Sequence, residues 1–363
     1  MAEKEQTSEP PPSIHMSSKK HRAEKEQSSP CVMTSLPEDV IIDILARVPR
    51  CNYPKLSLVS KHFRSLVASR EIYARRSLLG CTEHCLYVVL SNAESGDHEL
   101  YILRRKANGK QGLFLINSLP SKPRSGSYVA MGSKIYVFNN MTSLSIDCIS
   151  HTAQPLPSMP VLMDVTYADS IDGRIYVIGY IRDLDSKKEV MVVFNTETQT
   201  WEPETIKIDM VACECVVMGG KMYFRDNENC VVYEPKGRKW ETGEMLNAKE
   251  WENACVVDDV LYYYDDEKNK LRAYDSEKKC WGVVKGVEDF LTMGRESGWW
   301  KTASYGGKLF WFHDEDSYVG ATIFAEISLE RNQKRKIRGK VEWWHAVEVA
   351  MYVHVINSLA VIV

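Results

Sequence analysis

The sequence predicts an α+β, multidomain chain of two unequal parts: a small unit of three helices, then an all-β propeller of six blades. Three observations carry this. Apolar residues recur at helical spacing between residues 34 and 80. From residue 85 they alternate in the manner of strands. Within that strand-rich part, one segment recurs five times at steps of 40, 47, 39 and 48 residues. A repeat of about 40–50 residues that holds several short strands is the mark of a propeller blade.

Residues 1–33 read as a disordered tail. Prolines 10, 11, 12 and 30, several serines and balanced charge leave almost no large apolar side chain to bury. Ala-Glu-Lys-Glu-Gln occurs at 2–6 and again at 23–27, a low-complexity duplication. The basic cluster Lys19, Lys20, His21 and Arg22 reads as solvated tail in preference to a nuclear import signal.

The helical unit spans 34–80. Ser35 and Glu38 fit a capping box, with Pro37 suited to a first turn. Val40, Ile41, Ile44, Leu45 and Val48 mark the first helix, and Pro49 ends it. A second begins near Pro54 and sets Leu56, Val59, Phe63 and Leu66 on one stripe. A third runs from about Ser69, carries Ile72, Tyr73 and Leu79, and stops at Gly80. So short a unit buries little surface, so an apolar face is left for a partner or for the rest of the chain.

The propeller occupies 84–363. Its repeated strand follows a Gly or Asp turn: Gly132-Ser133-Lys134-Ile135-Tyr136, Asp172-Gly173-Arg174-Ile175-Tyr176, Gly219-Gly220-Lys221-Met222-Tyr223, Asp258-Asp259-Val260-Leu261-Tyr262 and Gly306-Gly307-Lys308-Leu309-Phe310. A second repeated strand ends on Asn195, Glu234 or Asp275, with Trp201, Trp240 and Trp281 each six residues later, placed to pack back on the next sheet. Five blades carry the repeat. The sixth is expected to be shared between the ends, with Leu86–Leu90 and Glu99–Arg105 pairing with Leu359–Val363, which removes the exposed sheet edges. The apolar stretch from Ala346 to Val363 is long enough to raise a membrane helix. Its valines and isoleucines, Glu348 and His354, and a turn read at Asn357-Ser358, favour two strands instead.

Composition excludes several functions. A net charge of −3 gives no electrostatic case for nucleic acid or membrane partners. The 10 cysteines are scattered through apolar runs behind a polar, charged N-terminus. They read as free thiols of a cytoplasmic or nuclear protein. Cys81, His84 and Cys85 lack a second ligand pair at zinc spacing, so no metal is expected. Cys213 and Cys215 alternate in a strand and are expected to face the same way as packing. The run Lys334, Arg335, Lys336, Arg338 and Lys340 reads as a solvated loop. No nucleophile motif, phosphate loop or His-Glu-x-x-His stands in the chain, and no catalytic residue or cofactor is expected.

Leu36-Pro37-Glu38-Asp39-Val40, Ile44-Leu45-Ala46-Arg47-Val48-Pro49 and Leu56-Ser57-Leu58-Val59-Ser60-Lys61-His62-Phe63-Arg64-Ser65-Leu66 together resemble an F-box. The later repeats resemble kelch repeats, and Gly339-Lys340-Val341-Glu342-Trp343-Trp344 also looks like this group. The combination is similar to the plant F-box/kelch-repeat proteins. The glycine pair common after the Tyr-Val strand is replaced by Asn139-Asn140, Gly179-Tyr180, Arg225-Asp226 and Asp265-Asp266, and Ala153 stands where the first blade would carry its tryptophan.

The resemblance implies a non-catalytic substrate-recognition subunit of a ubiquitin ligase, docked on a Skp adaptor and through it on a cullin, with the propeller holding a target protein. It carries adaptor binding onto Leu36, Pro37, Val40, Ile44, Leu45, Val48, Pro49, Leu56, Val59, Phe63 and Leu66, some of which must be internal core. A kelch scaffold working outside a ligase is the alternative, and a propeller enzyme is a third reading. Recognition loops gather at one end of a propeller. Arg124, Trp251, Arg295 and Trp299 fall between blades and are of types enriched at hot spots, so they stand as candidate target-binding residues. Packing between blades is the other reading of the tryptophans.

Overall fold

A computed structural model describes residues 36–92, 94–106, 109–117, 126–140, 143–182, 187–293, 298–315, 321–332, 336–349 and 353–363. The tail assigned to 1–33, Ser35 of the capping box, and Lys334 and Arg335 lie outside them.

Helix α1 (Glu38–Ala46) starts from Pro37, whose carbonyl accepts from the Val40 and Ile41 amides. No side chain caps it. The single stripe expected from Leu56 to Leu66 is two elements. α2 (Tyr53–Leu56) is one turn, and α3 (Lys61–Ala68) begins afresh at Ser60, whose hydroxyl accepts from the Phe63 amide at 3.0 Å. The Ser60 cap captures the chain better than helix continuation, because serine competes for backbone hydrogen bonds. α4 (Arg70–Leu78) is capped in the same way by Ser69 and ends before Gly80, which takes a left-handed φ of +64°. Ile41, Ile42, Leu45, Ala46, Tyr53, Leu66, Val67 and Ile72 form the core of the unit.

The described residues beyond Cys81 form six antiparallel sheets, the blades of a propeller. Blade 1 joins the ends of the chain. Val353–Ile362 is its innermost strand, followed outward by His84–Asn92, His98–Arg105 and Gln111–Leu115. The pairing Leu86↔Ala360 and Tyr87↔Leu359 closes the ring as the sequence leads one to expect. The turn read at Asn357-Ser358 is absent: the strand runs through it, with a bulge opposite Val89 and Leu90. Asn357 turns its amide to the Tyr128 carbonyl at 3.3 Å, so a residue chosen for turns here ties the closing strand to blade 2. Blades 2 to 6 open with Ser127–Met131, Asp164–Ile171, Glu214–Met218, Cys255–Val257 and Gly298–Tyr305.

The repeated Gly and Asp pairs make the first hairpin turn of their blades. Gly219-Gly220, Gly306-Gly307 and Asp172-Gly173 all have positive φ, the geometry that matches strand twist. Asp258 and Asp259 take the same conformation with side chains, and the Asp259 carboxylate secures it by accepting from the Gly219 amide of blade 4 at 2.8 Å. Two of the repeated tryptophans, Trp201 and Trp281, pack backward and not onto the next sheet, whereas Trp240 lies half-exposed on Phe224 and Tyr233 of its own blade. Trp201 lies 5.0 Å from Phe194 and 5.7 Å from Phe138 of blade 2, and donates to the Pro157 carbonyl at 2.9 Å. Trp281 donates likewise to the Met245 carbonyl at 3.0 Å. Each of these two indoles thus clamps the connector that enters its own blade.

Candidate functional site

Three places deserve chemical scrutiny: the helical unit's surface, its junction with the propeller, and the central channel.

Helix α1 is apolar on two sides. Ile41, Ile42 and Leu45 turn inward, while Val40 and Ile44, one turn apart, are 38% and 40% exposed. Beyond α2, Leu58 and Val59 are 79% and 65% exposed. Pro37 and Pro49 are exposed at either end of α1. Of the residues assigned to adaptor binding, then, Pro37, Val40, Ile44, Pro49 and Val59 lie on the surface. Leu45 and Leu66 are buried core, and Leu36, Val48, Leu56 and Phe63 pack partly against that core. Leu58 was not assigned and is more exposed than Val40, Ile44 or Val59. Its signal was present, since the apolar pair Leu58-Val59 set between Ser57 and Ser60 in a turn has no stripe to join.

The unit is bolted to the propeller chiefly through two arginines, Arg76 and Arg50. Arg76 is 1% exposed and donates to the carbonyls of Ala46 and Val48 at 2.9 and 2.8 Å, to the Tyr53 hydroxyl, and to Glu83 at 2.6 Å. It therefore closes the orphan carbonyls at the end of α1. The same Glu83 oxygen accepts the Arg50 amide at 3.0 Å, while the Glu83 backbone pairs both ways with Val363, the last residue of the closing strand. Arg50 reaches on to the Cys85 sulfur at 3.1 Å and lies over the Tyr73 ring. Burial pushes the Cys85 thiol up, so Arg50 meets a neutral sulfur. His84 packs edge-on against Tyr305, and Cys81 faces the Leu79 carbonyl. These three residues serve separate contacts and converge on no common point.

The channel encloses about 500 Å³ between the six innermost strands. Its wall is mostly small residues and backbone, with Asp169, Glu214, Cys215 and Lys301 among the groups facing it. The three charged groups among them are occupied in holding strands. Asp169 accepts from the Tyr167 hydroxyl at 3.1 Å and the Ser170 amide at 2.7 Å, and burial raises its pKa to about 6. Glu214 accepts from the Asn253 amide at 3.1 Å. Lys301 donates to the Ile356 carbonyl at 2.6 Å. Burial raises the Cys215 thiol well above its ordinary value, the opposite of an activated nucleophile. Cys213 precedes the strand and is exposed, so the two cysteines are not a same-face pair. Among the described residues no group of three or more His, Cys, Asp or Glu side chains could hold a metal ion, and no helix is long and apolar enough to cross a membrane.

The candidate target-binding residues fare differently. Trp251 is fully buried among Val216, Met218, Leu246, Leu261 and Tyr263, because its connector folds beneath blades 4 and 5. It is core and cannot touch a target. Arg124 and Arg295 lie outside the described residues, as does the side chain of Trp299, whose backbone opens blade 6.

Comparison with known proteins matches both parts. An F-box domain model covers residues 33–75, and a model described as FKB95, Kelch-repeats domain covers 100–348. An F-box/kelch-repeat protein of Arabidopsis thaliana is 43% identical, over 94% of this chain and 98% of its own. Two putative F-box/kelch-repeat proteins of the same plant are 37% and 35% identical, over 86% and 88% of this chain and 87% and 93% of theirs. With an exposed apolar helix face joined rigidly to a closed six-bladed ring, and relatives alike over nearly the whole length, the chain belongs to the F-box/kelch-repeat family.

Proposed function

We propose that this chain is the substrate-recognition subunit of a Skp–cullin–F-box ubiquitin ligase. The observation that carries the reading is the exposed aliphatic face of Val40, Ile44, Leu58 and Val59 beside a helical core that is already filled. Apolar side chains so exposed on so small a unit are stabilised only by a partner. The Skp adaptor is the partner on which an F-box acts. The propeller is the target-binding part, and its free face is the one turned away from the helices. Strand direction supports this. The helices meet the ends of blade strands that carry the first and third turns: Arg70 of α4 lies 3.9 Å from Asp147 beside the third turn of blade 2, and the chain passes from α4 into the start of His84–Asn92 at that same end. The second turns and the inter-blade connectors lie at the other end.

The chemistry is proximity. A target held against the propeller sits at high effective concentration near a ubiquitin thioester carried by another subunit. No residue of this chain need act as acid, base or nucleophile. All described cysteines are free thiols, which suits the cytoplasm or nucleus. Co-expression of the intact chain with a Skp adaptor and a cullin tests the reading. One complex holding all three is expected. Folded chain that elutes free of adaptor would overturn it and leave a scaffold outside any ligase.

A further inference from the structure

On the face turned away from the helices, the connector entering blade 5 and the second turn of that blade enclose a groove of about 680 Å³. Its floor is aromatic: Trp300 of blade 6 stands edge-on to Tyr264 at 5.3 Å, with Tyr263 beside them. Its rim is acidic: Glu250, Asp266 and Glu267 are exposed along it, against Lys249 and Lys268. Two further rim acids already have cations. Asp265 pairs with Arg272 at 2.8 Å, and Glu252 lies 3.8 Å from Arg225. Those pairs keep the rim in shape and leave Glu250, Asp266 and Glu267 as its exposed acids beside Lys249 and Lys268.

We infer that this groove docks a lysine- or arginine-bearing segment of the target protein. The inference rests on the propeller being the target receptor and names the chemistry it recognises. Charge complementarity selects the occupant. A guanidinium or ammonium group fits between rim carboxylates, and its apolar stem or planar head lies on an indole face, where the ring quadrupole adds attraction. An acidic segment would meet like charge, and a purely aliphatic one would strip water from the carboxylates without compensation.

The test uses the intact chain and a fluorescent peptide of arginine and lysine spaced by glycine and serine, followed by anisotropy at low salt. Three variants are compared with the parent. Glu250→Lys/Glu267→Lys reverses the rim. Glu197→Lys/Glu277→Lys makes the same change in net charge on the helix-bearing face. Trp300→Phe keeps the aromatic packing but trims the indole. Rim reversal is expected to weaken binding about tenfold. The opposite-face control is expected to change it less than about twofold, and Trp300→Phe to weaken it several-fold. Equal weakening by both charge reversals, or no binding by the parent, would overturn the inference. Adaptor binding, measured on the same variants, should be unchanged in all. Failure of the groove with adaptor bound refutes only this inference, whereas failure of adaptor binding refutes the ligase reading and leaves the groove result standing.

Discussion

The helical unit and the propeller handle the same problem in opposite ways. Each is rich in branched aliphatic side chains, and each must cover them. The propeller covers most of its own, because the strand Val353–Ile362 pairs with His84–Asn92 and closes the ring, with Phe114 and Leu115 left half-exposed on the outer strand of blade 1. The helical unit does not. Its core is complete around Leu45, Ala46 and Ile72, yet Val40, Ile44 and Leu58 remain outside. A closed repeat is sufficient in itself, whereas a short helical unit with apolar residues on two sides of one helix is built to be completed by something else.

The largest effect should come from opening the ring. Removing residues 353–363 exposes the whole of His84–Asn92 as an edge and strips Val355, Leu359 and Val361 from two cores. The shortened chain is expected to aggregate or lose its cooperative unfolding transition, measured by light scattering and thermal melting. A soluble, cooperative product would break the contrast.

Next comes the junction. Arg76→Ala leaves the Ala46 and Val48 carbonyls and the partly exposed Glu83 without their donor, and each buried acceptor left unsatisfied costs about 1–3 kcal/mol. Helix α1 should fray first, seen as faster amide exchange over 38–48 with the propeller unchanged. Arg76→Lys keeps the charge but not the fork, and should recover only part of the loss.

A smaller effect lies in the channel. Burial penalises the charge of the Asp169 carboxyl and raises its pKa to about 6 in the folded chain, against 3.8 for a solvated aspartate. Between those two values the unfolded chain loses its proton and the folded chain keeps it, so this group's contribution is fully present below 3.8 and is lost as pH rises through about 6. Asp169→Asn should therefore stabilise the protein at pH above 6 by up to about 3 kcal/mol and flatten the slope between those values. Chemical denaturation across pH reads it, and a destabilising Asn would show that the Tyr167 and Ser170 hydrogen bonds outweigh burial.

The smallest expected change is on the helix surface. Val40→Ser/Ile44→Ser should alter stability by less than about 0.5 kcal/mol, since exposed positions away from the core contribute little. Leu45→Ala, one residue along, should cost about 2–5 kcal/mol. Equal losses would mean that the two sides of α1 are not different after all.

Much of this was legible in the sequence. Five turn-and-strand repeats and the apolar C-terminal run fix the ring, because period two and a constant step leave few other folds. What was not legible has local causes. The Leu56–Leu66 stripe keeps helical spacing across a break that only the Ser60 cap reveals. Trp251 stands in a connector, and connectors usually run over the surface, but this one tucks its indole beneath two blades. Asn357-Ser358 has turn residues inside a strand because Asn357 is needed for a contact 229 residues away in sequence. Which stripe of α1 faces inward is set by α4, through Ile72 and the Arg75–Asp43 pair, and no pattern within α1 could say so.

Adaptor affinity of surface variants decides the matter most directly. Skp adaptor binding would be titrated for the intact chain, for Ile44→Ser/Leu58→Ser, and for Phe114→Ser/Leu115→Ser, whose side chains are as exposed but lie on the outer strand of blade 1. The expected result is loss of at least about tenfold in affinity for the helix pair alone, with all three proteins melting together. Equal adaptor binding by all three would contradict the assignment of the exposed α1 and Leu58 face as the docking surface.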